Sequence, residues 1–145
     1  MQKHLLIICG STAVGKTALS VQLAKHYSTE VISADSRQLY KEMSIGTAKP
    51  TVQEMEGVPH HFIDCISIQQ NYTAGDYEKE VIKKLDELFA QHDIVVMCGG
   101  TGLYIDAVCK GFYLLNFIRC KRNAIFIVFK PGNLSFGVVT CVLLN

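Results

Sequence analysis

A chain of 145 residues, 49% hydrophobic and 19% charged, has the makings of one folded domain with a sizeable core, which excludes two full domains, a disordered chain and a coiled coil. Eleven glycines and three prolines exclude fibrous or linker-like sequence, and six cysteines without CxxC or CxC spacing argue against zinc and a disulfide framework. The net charge of +1 offers no bulk attraction for a polyanion, yet residues 1–113 carry net −3 and residues 114–145 net +4, the latter from Arg119, Lys121, Arg122 and Lys130 with no acid.

The chain opens MQKHLLIICG. Its apolar run is shorter than the core of a signal peptide and leads into a glycine-rich loop, so Leu5 to Cys9 reads as a strand buried on both faces, and a cytoplasmic protein is expected. From Lys16 to about Tyr27, residues Leu19, Leu23, Ala24 and Tyr27 fall at helical spacing, and Val31 to Ala34 is a second short strand that ends at Asp35. Gly46, Pro50, Gly57 and Pro59 divide residues 36–72 into loop and short helix, with Phe62 and Ile63 on a short strand. Thr73-Ala74-Gly75-Asp76 has the form of a capping box and predicts a helix to about Gln91, with Tyr77, Val81, Leu85 and Leu88 along one face. Ile94 to Cys98 is a third apolar run, and Leu103 to Cys109 reads as a short helix closed by Gly111. Ala124 to Phe129 and Phe136 to Leu144 flank Lys130-Pro131-Gly132-Asn133 and read as a hairpin or as one replacement strand. That break leaves no apolar stretch long enough to span a bilayer. Strands alternating with helices predict an α/β fold with a parallel sheet.

Gly10-Ser11-Thr12-Ala13-Val14-Gly15-Lys16-Thr17 matches G-x-x-x-x-G-K-[ST] in full, between a predicted strand and a predicted helix. Such a loop turns backbone N–H groups toward a diphosphate or triphosphate ester, Lys16 adds a mobile cation, and the Thr17 hydroxyl suits Mg²⁺. The motif names phosphate and leaves the reaction open. Asp35, at the carboxyl end of the second strand, falls where ligands gather in open α/β sheets. It can hold Mg²⁺ through water, take a proton from a nucleophile, or merely cap its own turn, and spacing alone does not choose among these.

Further segments complete the pattern: Ile32 to Tyr40 (ISADSRQLY), Ile45 to Pro50 (IGTAKP), Gly57 to Asp64 (GVPHHFID), Tyr72 to Tyr77 (YTAGDY) and Gly99 to Tyr104 (GGTGLY). With the phosphate loop they make six motifs in order, and the series closely resembles the tRNA dimethylallyltransferases, also called tRNA isopentenyltransferases, over residues 4 to about 113. The resemblance implies a P-loop NTPase-like fold and transfer of a dimethylallyl group from dimethylallyl diphosphate to the exocyclic amine of the adenosine beside the tRNA anticodon, with Mg²⁺ as cofactor. It further implies that Asp35 is the base and Thr101 a second catalytic residue contacting substrate near the diphosphate end, and that Asp35, Ser36, Arg37, Gln38 and Thr101 touch the tRNA. Read unaided, the Gly-Gly-Thr-Gly loop suits a second phosphate cradle or a helix cap. Adjacent His60 and His61 would point to opposite faces of a strand, which disfavours a metal pair.

The resemblance stops near Gly111-Phe112, so 1–113 is expected to be the catalytic core and 114–145 a basic, apolar tail at a truncated or frame-shifted gene end. Two other readings are a small P-loop kinase of the nucleoside or shikimate type, with Asp35 activating a hydroxyl, and a non-catalytic diphosphate- or nucleotide-binding module. No arginine-rich lid of the kind a kinase uses stands between Lys16 and Gly111.

Overall fold

A computed structural model describes residues 2–11, 15–110, 123–130 and 133–141. The expected boundary near 113, the helix-closing Gly111 and the basic residues Arg119, Lys121 and Arg122 lie outside the described residues. The elements run β1 (His4–Gly10), α1 (Lys16–His26), β2 (Val31–Ser33), α2 (Val52–Met55), β3 (His60–His61), α3 (Ala74–Gln91), β4 (Ile94–Gly99), α4 (Gly102–Lys110), β5 (Asn123–Lys130) and β6 (Asn133–Cys141). They form one sheet of order β3-β2-β4-β1-β5-β6, parallel except for the antiparallel β5–β6 pair. The two apolar tail segments therefore make a hairpin, and its first strand lies parallel to β1.

β1 is central, and Leu5, Leu6, Ile7 and Ile8 are all buried because helices cover both faces. Leu5 and Ile7 pack with Ile32, Val95 and Met97 against Tyr77, Val81, Leu85, Tyr104 and Val108 of α3 and α4. Leu6 and Ile8 pack with Val31 and Val96 against Val21 and Ala24 of α1 on the other face. The alternation is the period of two that a strand imposes, read out in two separate cores.

α3 begins as its sequence predicts: Thr73 Oγ1 accepts from Asp76 N–H, and the Asp76 carboxylate accepts from Thr73 N–H, which holds that carboxyl below its ordinary range. Tyr77, one turn in, is fully buried, stacks on Tyr104 and donates its hydroxyl to the Ser33 carbonyl at 2.7 Å. The expected strand at Phe62 and Ile63 is displaced. Pairing with β2 falls on His60 and His61, and Phe62 and Asp64 adopt left-handed φ of 65° and 53°, which ends the strand.

The crossover from β1 to β2 passes β4 on one side, and the path from β4 to β5 passes β1 on the other, so the chain changes direction between β1 and β4. Loops at the carboxyl ends of those strands flank a switch point, where open α/β sheets bind ligands. The junction is tight. Ala34 N–H donates to Cys98 O at 2.8 Å, and Thr101 N–H donates to Ala34 O at 3.1 Å. A Cβ on Gly99 would stand 2.3 Å from the Ala34 carbonyl carbon, so only glycine fits.

Gly99→Ala is expected to lower the unfolding free energy by about 1–3 kcal/mol through overpacking; urea denaturation followed by circular dichroism measures it, and an unmoved midpoint would mean that the contact is slack. Tyr77→Phe removes the donor to a buried carbonyl and is expected to cost about 1–3 kcal/mol in the same assay.

Candidate active site

The three loops after β1, β2 and β4 meet at this edge. Gly15, at the N-terminus of α1, has a left-handed φ of 92°, which only glycine adopts freely. Whereas α2 and α3 close their first turns with capping boxes, α1 has neither a side-chain cap nor an acid in its first turn. Its positive end is left for a ligand. Lys16 lies just inside, its Nζ donating to the Ser11 carbonyl at 2.5 Å, and Thr17 follows on the same helix. Thr12, Ala13 and Val14 of the loop lie outside the described residues.

Gly15, Lys16 and Thr17 line a cleft of about 350 Å³ together with Asp35, Gln38, Cys98 and Gly100. A second concavity of about 340 Å³ is lined by Gly10, Ser11, Asp35, Ser36, Arg37, Gly100 and Thr101. Asp35 and Gly100 belong to both, so the carboxylate stands where the two meet. Every expected site residue that is described lies on one or both.

Asp35 Oδ1 accepts from Arg37 N–H at 3.0 Å, a turn of the aspartate on its own backbone that fixes the carboxyl's orientation without removing it from the cleft. The capping and functional readings of Asp35 are therefore compatible. Of the two readings of the Gly-Gly-Thr-Gly loop, phosphate cradle or helix cap, Thr101 bears on the second: its Oγ1 accepts from Ser36 N–H at 2.9 Å and lies 3.3 Å from Ser36 Oγ, tying the β4 loop to the β2 loop. The first turn of α4 is instead served by the Thr101 carbonyl, which accepts from Tyr104 and Ile105 N–H.

The cleft also holds residues to which the motifs lent a resemblance but no role: Ser33, Ala48, Lys49, Pro50, His60 and Ile63. Their signal lay in the ISADSRQLY, IGTAKP and GVPHHFID segments. Lys49 is charged but spent, its Nζ donating to Tyr40 O at 2.6 Å and pairing with Asp64 Oδ1 at 2.5 Å. Burial pushes the Cys98 thiol up to about 11, against the opposing pulls of its Ser20 hydrogen bond and the Lys16 ammonium, so it is protonated at neutral pH. Burial likewise pushes His60 below its ordinary value, and its Nδ1–H donates to Val58 O at 2.8 Å. His61 turns elsewhere, meeting Glu30 Oε2 at 2.5 Å. Among the described residues no group of three His, Cys, Asp or Glu side chains is placed to hold a metal by protein ligands alone.

The IPP transferase family model matches residues 38–124. The tRNA dimethylallyltransferase of Cytophaga hutchinsonii is 54% identical over 111 residues, 77% of this chain and 36% of that protein. That of Flavobacterium psychrophilum is 57% identical over 109 residues, 75% of this chain and 36% of the relative. The chain thus spans little more than a third of the curated relatives it matches. Among solved structures, the tRNA isopentenylpyrophosphate transferase of Bacillus halodurans superposes with a TM-score of 0.74 at 43% identity, over 79% of this chain and 38% of that one. A eukaryotic dimethylallyltransferase acting on tRNA gives 0.71 at 35% identity, over 75% and 27%. A parallel sheet with a glycine loop after its central strand, a carboxylate at the switch point and these matches have one reading: the chain belongs to the IPP transferase family, that of the tRNA dimethylallyltransferases.

Proposed function

We propose that this chain binds dimethylallyl diphosphate with Mg²⁺ on the loop from Gly10 to Thr17. Asp35 is then the base for transfer of the dimethylallyl group to the exocyclic amine of the adenosine beside a tRNA anticodon. The observation that carries the reading is the position of Asp35 in the wall shared by the two concavities, one bearing Lys16 and Thr17 and the other Arg37 and Thr101. Two substrates that meet at a carboxylate need such an arrangement; a simple phosphate-binding module does not. The names of the relatives support the same chemistry, and a cytoplasmic location accords with a tRNA substrate. Among the described residues no helix is long and apolar enough to cross a membrane.

The donor set fits Mg²⁺. The Thr17 hydroxyl is a hard oxygen on the cleft, and a cation held mostly by water and diphosphate oxygens needs no larger protein cage. When bound, Mg²⁺ supplies charge neutralisation to the leaving diphosphate. The chain's own part is to place Lys16 and the open N-terminus of α1 against the same developing charge. As the amine nitrogen bonds to the allylic carbon and the carbon–oxygen bond to diphosphate breaks, Asp35 takes the nitrogen's proton. Arg37 N–H on Oδ1 holds the carboxyl in orientation. Thr101 and Ser36, hydrogen-bonded to each other, brace the opening through which an extruded base enters, and Arg37, exposed beside them, is placed for a tRNA phosphate.

Lys16→Ala is expected to leave the melting temperature nearly unchanged and to weaken diphosphate by about tenfold or more, the worth of a charge-assisted contact. Calorimetric titration with dimethylallyl diphosphate and Mg²⁺ tests this, and unchanged affinity would remove the phosphate-loop assignment. For Asp35→Asn, fused to the remaining segment of a relative so that transfer is measurable, label entering tRNA from dimethylallyl diphosphate is expected to slow by ~10² to 10⁴ with diphosphate affinity within a few fold. Loss of Mg²⁺-dependent binding instead would make Asp35 a metal-site residue and favour a kinase-like use of the loop.

A further inference from the structure

Gln38 lies in the segment that the family resemblance assigns to tRNA, yet its amide is engaged within the protein. Its Oε1 accepts from Ser33 Oγ at 2.9 Å, and its Nε2 donates to the carbonyls of Thr47 and Ala48 at 3.3 and 3.0 Å. Two carbonyls on one side and a hydroxyl on the other fix which end of the amide is which, and both donors are used. The Ser33 carbonyl in turn accepts from the buried hydroxyl of Tyr77, so Gln38 is anchored to the core.

The segment it holds is one that needs holding. Gly46 and Ala48 have left-handed φ of 73° and 50°, and the second is an alanine, for which that conformation is unfavourable. Thr47 is buried, its hydroxyl donating to Ser44 O at 3.3 Å, and Lys49 clips the next residue to Tyr40 and Asp64. Held this way, residues 48–50 form one wall of the cleft that contains Lys16.

That wall is apolar in effect. Ala48, Pro50 and Ile63 carry no polar side-chain atoms, and the Cys98 thiol on the same cleft stays protonated. Lys49 is neutralised by Asp64, and the Glu54 carboxylate is occupied by Thr51 N–H in the cap of α2. A cleft with a mobile cation at the phosphate loop and apolar side chains at Ala48, Pro50 and Ile63 suits a diphosphate ester with a short hydrocarbon group.

We propose that Gln38 is a positioning residue that sets selectivity for the hydrocarbon group of the donor by fixing residues 47–50 as its wall. The proposal rests on the diphosphate-binding reading above and adds to it. Holding the wall in place is worth nothing to inorganic diphosphate, which reaches only the phosphate loop, and is worth affinity to the alkyl ester.

The test is calorimetric titration of the 145-residue chain and its Gln38→Glu variant with inorganic diphosphate and with dimethylallyl diphosphate, Mg²⁺ present throughout. Glutamate keeps the size and the bond from Ser33 but turns a carboxylate oxygen on the Thr47 and Ala48 carbonyls. The expected result is a loss of about tenfold for dimethylallyl diphosphate with inorganic diphosphate within about twofold. Gln38→Met, which removes the donors without adding charge, is expected to show the same split and serves if the glutamate variant does not fold. An unchanged ratio of the two affinities, or an equal loss of both, overturns the assignment of Gln38 while leaving the phosphate loop standing. A wild-type chain that binds neither ligand removes the underlying reading and this proposal with it.

Discussion

Between Cys98 and Thr101 the chain passes so close to Ala34 that a single added carbon on Gly99 would meet the Ala34 carbonyl at 2.3 Å. The contact is the reason the two loops behave as one body. Ala34 donates to the strand on one side of Gly99 and accepts from Thr101 on the other, and the Thr101 hydroxyl then takes Ser36 N–H. Asp35 lies between these two tied residues. A carboxylate proposed to take a proton where two substrates meet would tolerate little displacement, since small misplacements of reacting groups cost rate steeply. Glycine at 99 is thus a positional requirement of the Asp35 carboxylate, the proposed base, expressed through backbone packing.

Charge is distributed in the cleft with the same economy. Of the ionisable groups that line it, Lys49 and Glu54 already have partners within the protein, and the Cys98 thiol and His60 are pushed by burial toward their neutral forms. Lys16 also has a partner, but that partner is the carbonyl of Ser11 in its own loop, a neutral group that an anion can outcompete. An incoming diphosphate therefore meets one mobile cation and an uncapped helix end, with the Asp35 carboxylate, turned onto Arg37 N–H, in the same cleft.

Much of this was legible in the sequence where the determinants are local. A run such as Leu5 to Cys9 can only be a covered strand, G-x-x-x-x-G-K-[ST] defines its own loop, and Thr73 with Asp76 starts a helix whose apolar face follows from spacing. The strand at His60–His61 was misplaced by two residues because its position is set by pairing with β2 and by left-handed turns at Phe62 and Asp64, none of which has a composition signature. Thr101 read equally well as a cap because the partner that claims its hydroxyl, Ser36, is distant in sequence. The wall at residues 47–50 was missed for the same reason: its supports are Gln38, Tyr40 and Asp64, joined only in the fold.

The described part of the site is drawn from strand ends and loops between Gly10 and Thr101, so the proposed phosphate-binding and proton-accepting groups are assembled within a stretch that corresponds to 36% of the Cytophaga hutchinsonii relative. Such an assembly can be chemically coherent without being able to grip a large polyanion. Residues 1–113 carry net −3, which repels a nucleic acid at long range, and nucleic-acid affinity is dominated by phosphate neutralisation. Arg37 at the second concavity is one cation against that background. On the proposed reading the hold on tRNA would come from broad basic surface beyond these residues, and the division is physically sensible: small-molecule recognition needs buried, rigid strand ends, whereas a tRNA needs broad basic surface. Along the chain the two requirements separate, and the groups assembled here belong to the first.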